Sequence, residues 1–137
     1  MKQPEIISFP SKGNRDEGHL HIVQHDTLPF VIERVFYTMD TPMSVTRGRH
    51  AHHETEMILI AIKGTIRVRT ITIHGEEKTF ILSEPSEGLY IPALCWHEMN
   101  YSDSAVQLVL CNSMYNAADY IRDWQQFKNL QLQHGTP

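Results

Sequence analysis

The sequence predicts an all-β fold, a small barrel or jelly roll finished by a short C-terminal helix. Three observations carry that prediction. Short runs rich in β-branched and aromatic residues recur at intervals of about ten residues, punctuated by Gly, Pro, Asn and Asp. Only one stretch, near the end, has apolar residues at spacings of three and four. No segment repeats, so the strands form one domain, residues 1–137, and not an array.

Residues 6–9 read as a short first strand, closed by Pro10 and the turn-rich Ser11, Lys12, Gly13 and Asn14. Residues 18–23 alternate as a second strand, and Asp26 to Pro29 turn the chain. A longer strand is expected over 30–38, where Phe, Val, Ile and Tyr accumulate. A loop with Pro42 leads to a histidine-rich segment. Residues 57–62 are apolar at every position, as a strand covered on both faces requires. After a turn at Lys63 and Gly64, Ile66, Val68 and Thr70 alternate with Arg67 and Arg69, so one face of that strand is wet. Gly75 opens a hairpin into 79–82. Residues 83–87 read as a loop and 88–91 as a strand that Pro92 interrupts. Residues 98–101 and 106–110 complete the sheet. Asn116 is the expected N-cap of the helix, whose buried stripe is Ala117, Tyr120, Ile121, Trp124 and Phe127. Residues 131–137 are expected to fray.

Composition narrows the function classes. A chain of 137 residues with 41% hydrophobic residues buries a core without staples. The net charge is −4, with 12 basic residues scattered among 16 acidic ones, so no nucleic-acid surface is expected. No apolar run approaches the ~18 residues that span a bilayer, and the N-terminus has no signal-peptide core. A cytoplasmic protein is therefore expected, with Cys95 and Cys111 as free buried thiols.

The chemistry is concentrated in two fragments. Residues 50–56 hold three histidines and two carboxylates. On an extended chain His50 and His52 point to one face and His53 to the other. Glu56 shares the parity of the pair unless a bend intervenes. The second fragment runs from Gly88 through Pro92 to Trp96 and His97. His53 is read as solvated, and His19, His21, His25 and His74 as surface histidines.

His50-x-His52-x-x-x-Glu56 followed by Pro92-x-x-x-x-His97 resembles the two-part motif of the cupin superfamily, whose metal-binding members use three histidines and a glutamate. The implied set, His50, His52, Glu56 and His97, would suit Fe, Mn, Zn or Ni. Leu94 stands where that pattern has glycine, and Asn100 meets its asparagine only loosely.

Longer phrases narrow the resemblance. These are Arg34-Val35-Phe36-Tyr37, Arg47-Gly48-x-His50-Ala51-His52, Gly88-Leu89-Tyr90-Ile91-Pro92-x-x-x-Trp96-His97-Glu98-Met99 and Asp119-Tyr120-Ile121-Arg122-Asp123. In this order they resemble the nucleotide-sugar 3,4-ketoisomerases, cupins that convert dTDP-4-keto-6-deoxyglucose to a 3-keto isomer on the way to 3-amino-3,6-dideoxyhexoses. The resemblance implies a dTDP-linked keto-deoxyhexose as substrate, catalysis without metal or other cofactor, and a homodimer with exchanged N-terminal strands. It implies His50 and His52 as the catalytic pair, one as base, with His52 the first choice, and the other as proton relay or oxyanion stabiliser, and Tyr37 as proton donor or substrate contact. Arg47 suits a phosphate, and Trp96 and His97 would line the mouth of the barrel.

Plainer readings stand beside these: Tyr37 as a core aromatic, Trp96 as rim packing, Arg47 as the partner of a surface carboxylate. Two rival functions also stand, a metal-dependent cupin enzyme and a non-catalytic sugar-binding cupin.

Overall fold

The structure, a computed structural model, describes residues 2–134. Its strands are β1 (Glu5–Ser8), β2 (Ser11–Asn14), β3 (Gly18–His21), β4 (Arg34–Thr38), β5 (Arg47–His52), β6 (Met57–Lys63), β7 (Ile66–Thr72), β8 (Glu77–Leu82), β9 (Glu87–Ile91), β10 (Cys95–Tyr101), β11 (Val106–Cys111) and β12 (Tyr120–Ile121). The helix α1 (Trp124–His134) follows. The strands pair as two five-stranded antiparallel sheets, β1-β9-β6-β11-β4 and β12-β5-β10-β7-β8, with β2 and β3 as a separate hairpin. The result is a cupin-type jelly-roll sandwich with open edges rather than a closed barrel.

Alternation along each strand explains the layering. From β6, Met57, Leu59 and Ala61 turn inward to meet Val68, Leu89, Met99 and Val109 between the sheets. Ile58 and Ile60 turn outward, where Phe9, Phe30 and Leu110 cover them, with Leu28 and Ile32 packed alongside. The unbroken apolar run is thus roofed on both sides. On the outer face of the second sheet, Ala51, Ile71, Trp96 and Ile121 lie under Phe127 of α1.

Four local expectations change. Residues 11–14 are a strand, since Gly13, at φ 113°, lets the chain pair tightly with β3. Residues 30–33 are extended but outside the ladder. Phe30 and Ile32 are spent on the outer cover, and Glu33 N–H alone bonds Cys111 O, at 2.8 Å. The helix begins later than the spacing suggests. Asn116 caps only a 3-10 turn, Ala117–Asp119, and Tyr120–Ile121 then pair with β5. Asp123 accepts the Gln125 N–H at 3.3 Å where α1 starts. The expected fraying of 131–137 does not reach Gln131, whose amide donates to Thr72 O at 3.1 Å; residues 135–137 lie outside the described residues.

β1 pairs with β9 of its own chain, so the first strand is an edge of its own sheet. Among the described residues no helix is long and apolar enough to cross a membrane. Cys95 and Cys111 are free and buried.

Candidate active site

The site is built on the inner face of three neighbouring strands. β5 carries His50 and His52, β10 brings His97 opposite His50, and β12 sets Tyr120 opposite His52. A β-bulge interrupts β5: His97 pairs with His50 but Glu98 with Gly48, leaving Arg49 as an extra residue. Gly48 and Arg49 both take left-handed conformations, at φ 83° and 59°. The extra residue resets the alternation, so Arg47 and His50 share the cavity wall although their spacing is odd. A Cβ at Gly48 would stand 2.8 Å from His97 O, which leaves room only for glycine.

The cavity has a volume of about 210 Å³. The second sheet supplies Arg47, the three histidines and Met99; Tyr120 and Arg122 close one side. Across it stand Phe36, Thr38, Leu59 and Gln107 of the first sheet. Gln107 is buried and accepts from the Tyr101 hydroxyl at 3.2 Å.

Ring centroids of His50 lie 5.0 Å from His52 and 4.7 Å from His97, and His52 lies 5.7 Å from His97. Two tautomers follow from the carbonyls beside them. His50 Nδ1 is 3.1 Å from Gly48 O, and His97 Nδ1 is 3.0 Å from Cys95 O. A carbonyl only accepts, so each Nδ1 carries the hydrogen and each Nε2 is left as a bare acceptor. The buried Nε2 atoms of His52 and His97 have no protein partner. Such atoms cost stability unless a ligand meets them.

Burial keeps all three imidazoles neutral. It drives His50 and His52 down to about 3, reinforced by His97 acting on His50 and by His50 acting on His52. His97 is likewise driven down by burial and then by His52. Asp119 pulls His52 the other way. Its own carboxyl is pushed up by burial, but the Thr55 hydroxyl and the N–H groups of Glu54 and Thr55 outweigh that and hold it below its ordinary value. Those N–H groups donate at 2.8 and 3.2 Å, clamping the bend that follows His52.

The sign of the acid response follows. Between pH ~6.5 and ~3 the unfolded chain binds protons that the native cluster refuses, so stability falls as pH falls. Each histidine removes up to about 1.4 kcal/mol per pH unit within that window. Tm should therefore drop between pH 7 and pH 5, and the drop should shrink in a His50→Asn/His52→Asn variant. Identical drops in both proteins would contradict the neutral cluster.

The remaining sequence candidates fall elsewhere. Trp96 is a correction: it faces outward on β10, between His97 and Cys95 that face inward, and packs on Trp124 and Phe127 under α1. Its Nε1–H donates to Glu98 at 3.0 Å. Tyr37 is another. Phe36 and Thr38 turn into the cavity, which leaves Tyr37, 68% exposed, on the far side of β4. Glu56 is the third. The bend at His53 and Glu54 breaks its parity with the histidines, and its carboxylate instead takes the Tyr90 hydroxyl, Lys2 at 2.9 Å and Asn112 at 3.1 Å. The expected four-ligand set is thus reduced to His50, His52 and His97, whose donor atoms lie within 4.8 Å of one another. That trio fits a divalent ion with three protein ligands, the Nδ1–H groups of His50 and His97 being already held by carbonyls.

Tyr120, Arg122 and Asp119 were missed as site residues. The helical reading put Tyr120 in a buried stripe; the only signal for all three was the phrase 119–123 itself.

Comparison with known proteins agrees with this architecture. Residues 2–132 match the family model FdtA, described as WxcM-like, C-terminal. The chain is 38% identical over 126 residues to a TDP-4-oxo-6-deoxy-alpha-D-glucose-3,4-oxoisomerase of Aneurinibacillus thermoaerophilus, covering 90% of this chain and 89% of the relative. It superposes on the sugar 3,4-ketoisomerase QdtA of Thermoanaerobacterium thermosaccharolyticum in complex with TDP, with a TM-score of 0.89, 32% identity and 96% of each chain covered. A histidine-to-asparagine mutant of QdtA in complex with TDP-4-keto-6-deoxyglucose gives the same TM-score at 31% identity, over 97% of this chain and 96% of the other. The chain belongs to the FdtA family.

Proposed function

We propose that the protein is a sugar-nucleotide 3,4-ketoisomerase, moving the keto group of a TDP-4-keto-6-deoxyhexose from C4 to C3. The observation that carries this reading is the cluster of three neutral histidines, with the Nε2 atoms of His52 and His97 buried and without a protein partner, in a cavity that also holds Arg47 and Arg122. The names of the relatives supply the substrate class.

The reaction needs a group that takes the C3 proton and one that returns a proton to C4, through an enediol. Neutral imidazole takes the first proton, and the imidazolium so formed returns one. His52 is the base. Its Nε2 is buried and unpartnered, and the charge of Asp119 favours the imidazolium that forms when it accepts the proton. His50, half-buried between His52 and His97, relays the proton and exchanges it with water. His97 forms the cavity floor with its hydrogen fixed on Nδ1. Arg47 and Arg122 are suited to the diphosphate, since guanidinium matches phosphate oxygens in pairs.

The trio would equally hold a divalent ion, so one experiment addresses both readings. The protein is incubated with TDP-4-keto-6-deoxyglucose in D₂O after chelation, and the product is followed by NMR. The expected result is a 3-keto isomer with solvent deuterium at C4. Turnover abolished by chelation and restored by one metal per chain would favour the metal-dependent alternative. Substrate binding without turnover would favour a binding protein.

The reading includes a homodimer. β4 is a free sheet edge with Val35 and Tyr37 exposed, and the β2–β3 hairpin is a two-stranded unit with little burial, a kind of element that is marginal alone. The N-terminal element proposed to be exchanged is this hairpin. A monomer at micromolar concentration in light scattering would remove this part of the proposal.

A further inference from the structure

Tyr120 stands over the catalytic pair. Its ring centroid lies 4.4 Å from that of His52 and 5.1 Å from that of His50, both contacts edge-on. The Arg122 guanidinium lies 4.2 Å over the same ring. Pairing of β12 with β5 fixes this arrangement, since Tyr120 is the register partner of His52. The hydroxyl makes no hydrogen bond to any described residue, although the side chain lines the cavity.

The isomerisation moves two kinds of proton. One is bound to carbon and passes from C3 to C4. The other is bound to oxygen and passes from O3 to O4. The histidines account for the first kind. For the second, the cavity wall offers two hydroxyl groups, Thr38 and Tyr120. An aliphatic alcohol is too weak an acid to protonate a developing enolate, and guanidinium does not give up its proton.

We propose that Tyr120 is a catalytic residue that shuttles the oxygen-bound proton, given the ketoisomerase reading above. As His52 breaks the C3–H bond, that electron pair becomes the C3=C4 double bond and the carbonyl π pair moves to O4. Tyr120 protonates O4, which leaves the neutral enediol, His52 as imidazolium and a phenolate beside the Arg122 cation. In the second half the phenolate takes the O3 proton and C3=O3 forms. The C3=C4 pair takes a proton at C4 from the histidine pair. The phenol and the neutral imidazoles are restored, so the cycle balances without a co-reactant. O3 and O4 sit on adjacent carbons, within reach of a single hydroxyl.

Tyr120→Phe tests this, because it keeps the ring against His50, His52 and Arg122 and deletes only the oxygen. The variant should lose roughly 10²-fold or more in kcat, with KM for TDP-4-keto-6-deoxyglucose within about threefold of the parent. Exchange of the C3 hydrogen into D₂O should fall in parallel, since O4 protonation accompanies C–H cleavage. A kcat within about threefold of the parent, or a loss carried by KM with kcat intact, overturns the assignment. If the variant fails to fold, replacing tyrosine by the more acidic 3-fluorotyrosine keeps the packing; a kcat that does not respond then overturns it instead. An inactive parent enzyme would count against the ketoisomerase reading, whereas an active parent with an indifferent Tyr120→Phe removes Tyr120 alone.

Discussion

His52→Asn is expected to reduce kcat by roughly 10²–10⁴-fold while leaving the affinity for a TDP-sugar nearly unchanged. Asparagine is close to imidazole in size and polarity, so the buried position, only 2% exposed, stays filled. What disappears is the buried, unpartnered imidazole nitrogen proposed to accept the C3 proton. The arginines that suit the diphosphate, Arg47 and Arg122, lie elsewhere on the cavity wall and are untouched. Stopped turnover with preserved binding of TDP, measured by calorimetry, is the expected pattern. His50→Asn should lose less, because water can substitute for a relay near the mouth. Full activity in His52→Asn would remove it as the base.

The second large effect is on stability. Phe127 is fully buried between α1 and the second sheet, 5.7 Å from Trp96 and 5.8 Å from Trp124 between ring centroids. Truncating such an aromatic costs about 3–5 kcal/mol, because the cavity left behind cannot close. For a chain of this size that corresponds to a drop in Tm of roughly 10 °C or more. Denaturant unfolding of Phe127→Ala measures it. A cost under about 1 kcal/mol would mean that α1 is not the cover of this core. The histidine-bearing strands β5 and β10 lie directly beneath that cover, so activity should also fade at lower temperature in the variant.

What was legible in the sequence follows from which rules act locally. The apolar run 57–62, the wet face of Arg67 and Arg69 and the parity of His50 with His52 depend only on alternation, and they carry over into β6, β7 and β5. The longer phrases are specific enough to mark the family from the sequence alone. Other placements failed: Trp96 and Tyr37 are read against the alternation of their own strands, while Glu56 and Tyr120 depend on neighbours that alternation does not see. Trp96 has the parity of the outer face, but the motif reading asked for a residue at the mouth. Glu56 lies beyond a bend that Asp119 imposes from a distant part of the chain. Tyr120 and Ile121 fit a helical stripe as well as a strand, and only pairing with β5 decides between the two. Arg47 faces the cavity because of the bulge at Arg49, which no periodicity in the sequence announces.

The double cover over β6 and β10 bears on how such an enzyme can change. Ile58 and Ile60 are sealed under the N-terminal segment, Trp96 under the helix, and their strand neighbours face the cavity or the inner core. Substitutions along these two strands therefore meet packing on either side, and few are neutral. Variation in substrate preference must enter through parts of the wall without a second cover, such as β4, whose Val35 and Tyr37 are exposed behind the cavity, and Arg122. The sandwich thus separates a conservative half that holds the imidazoles from a permissive rim that chooses the sugar, and a lineage can alter the second without renegotiating the first.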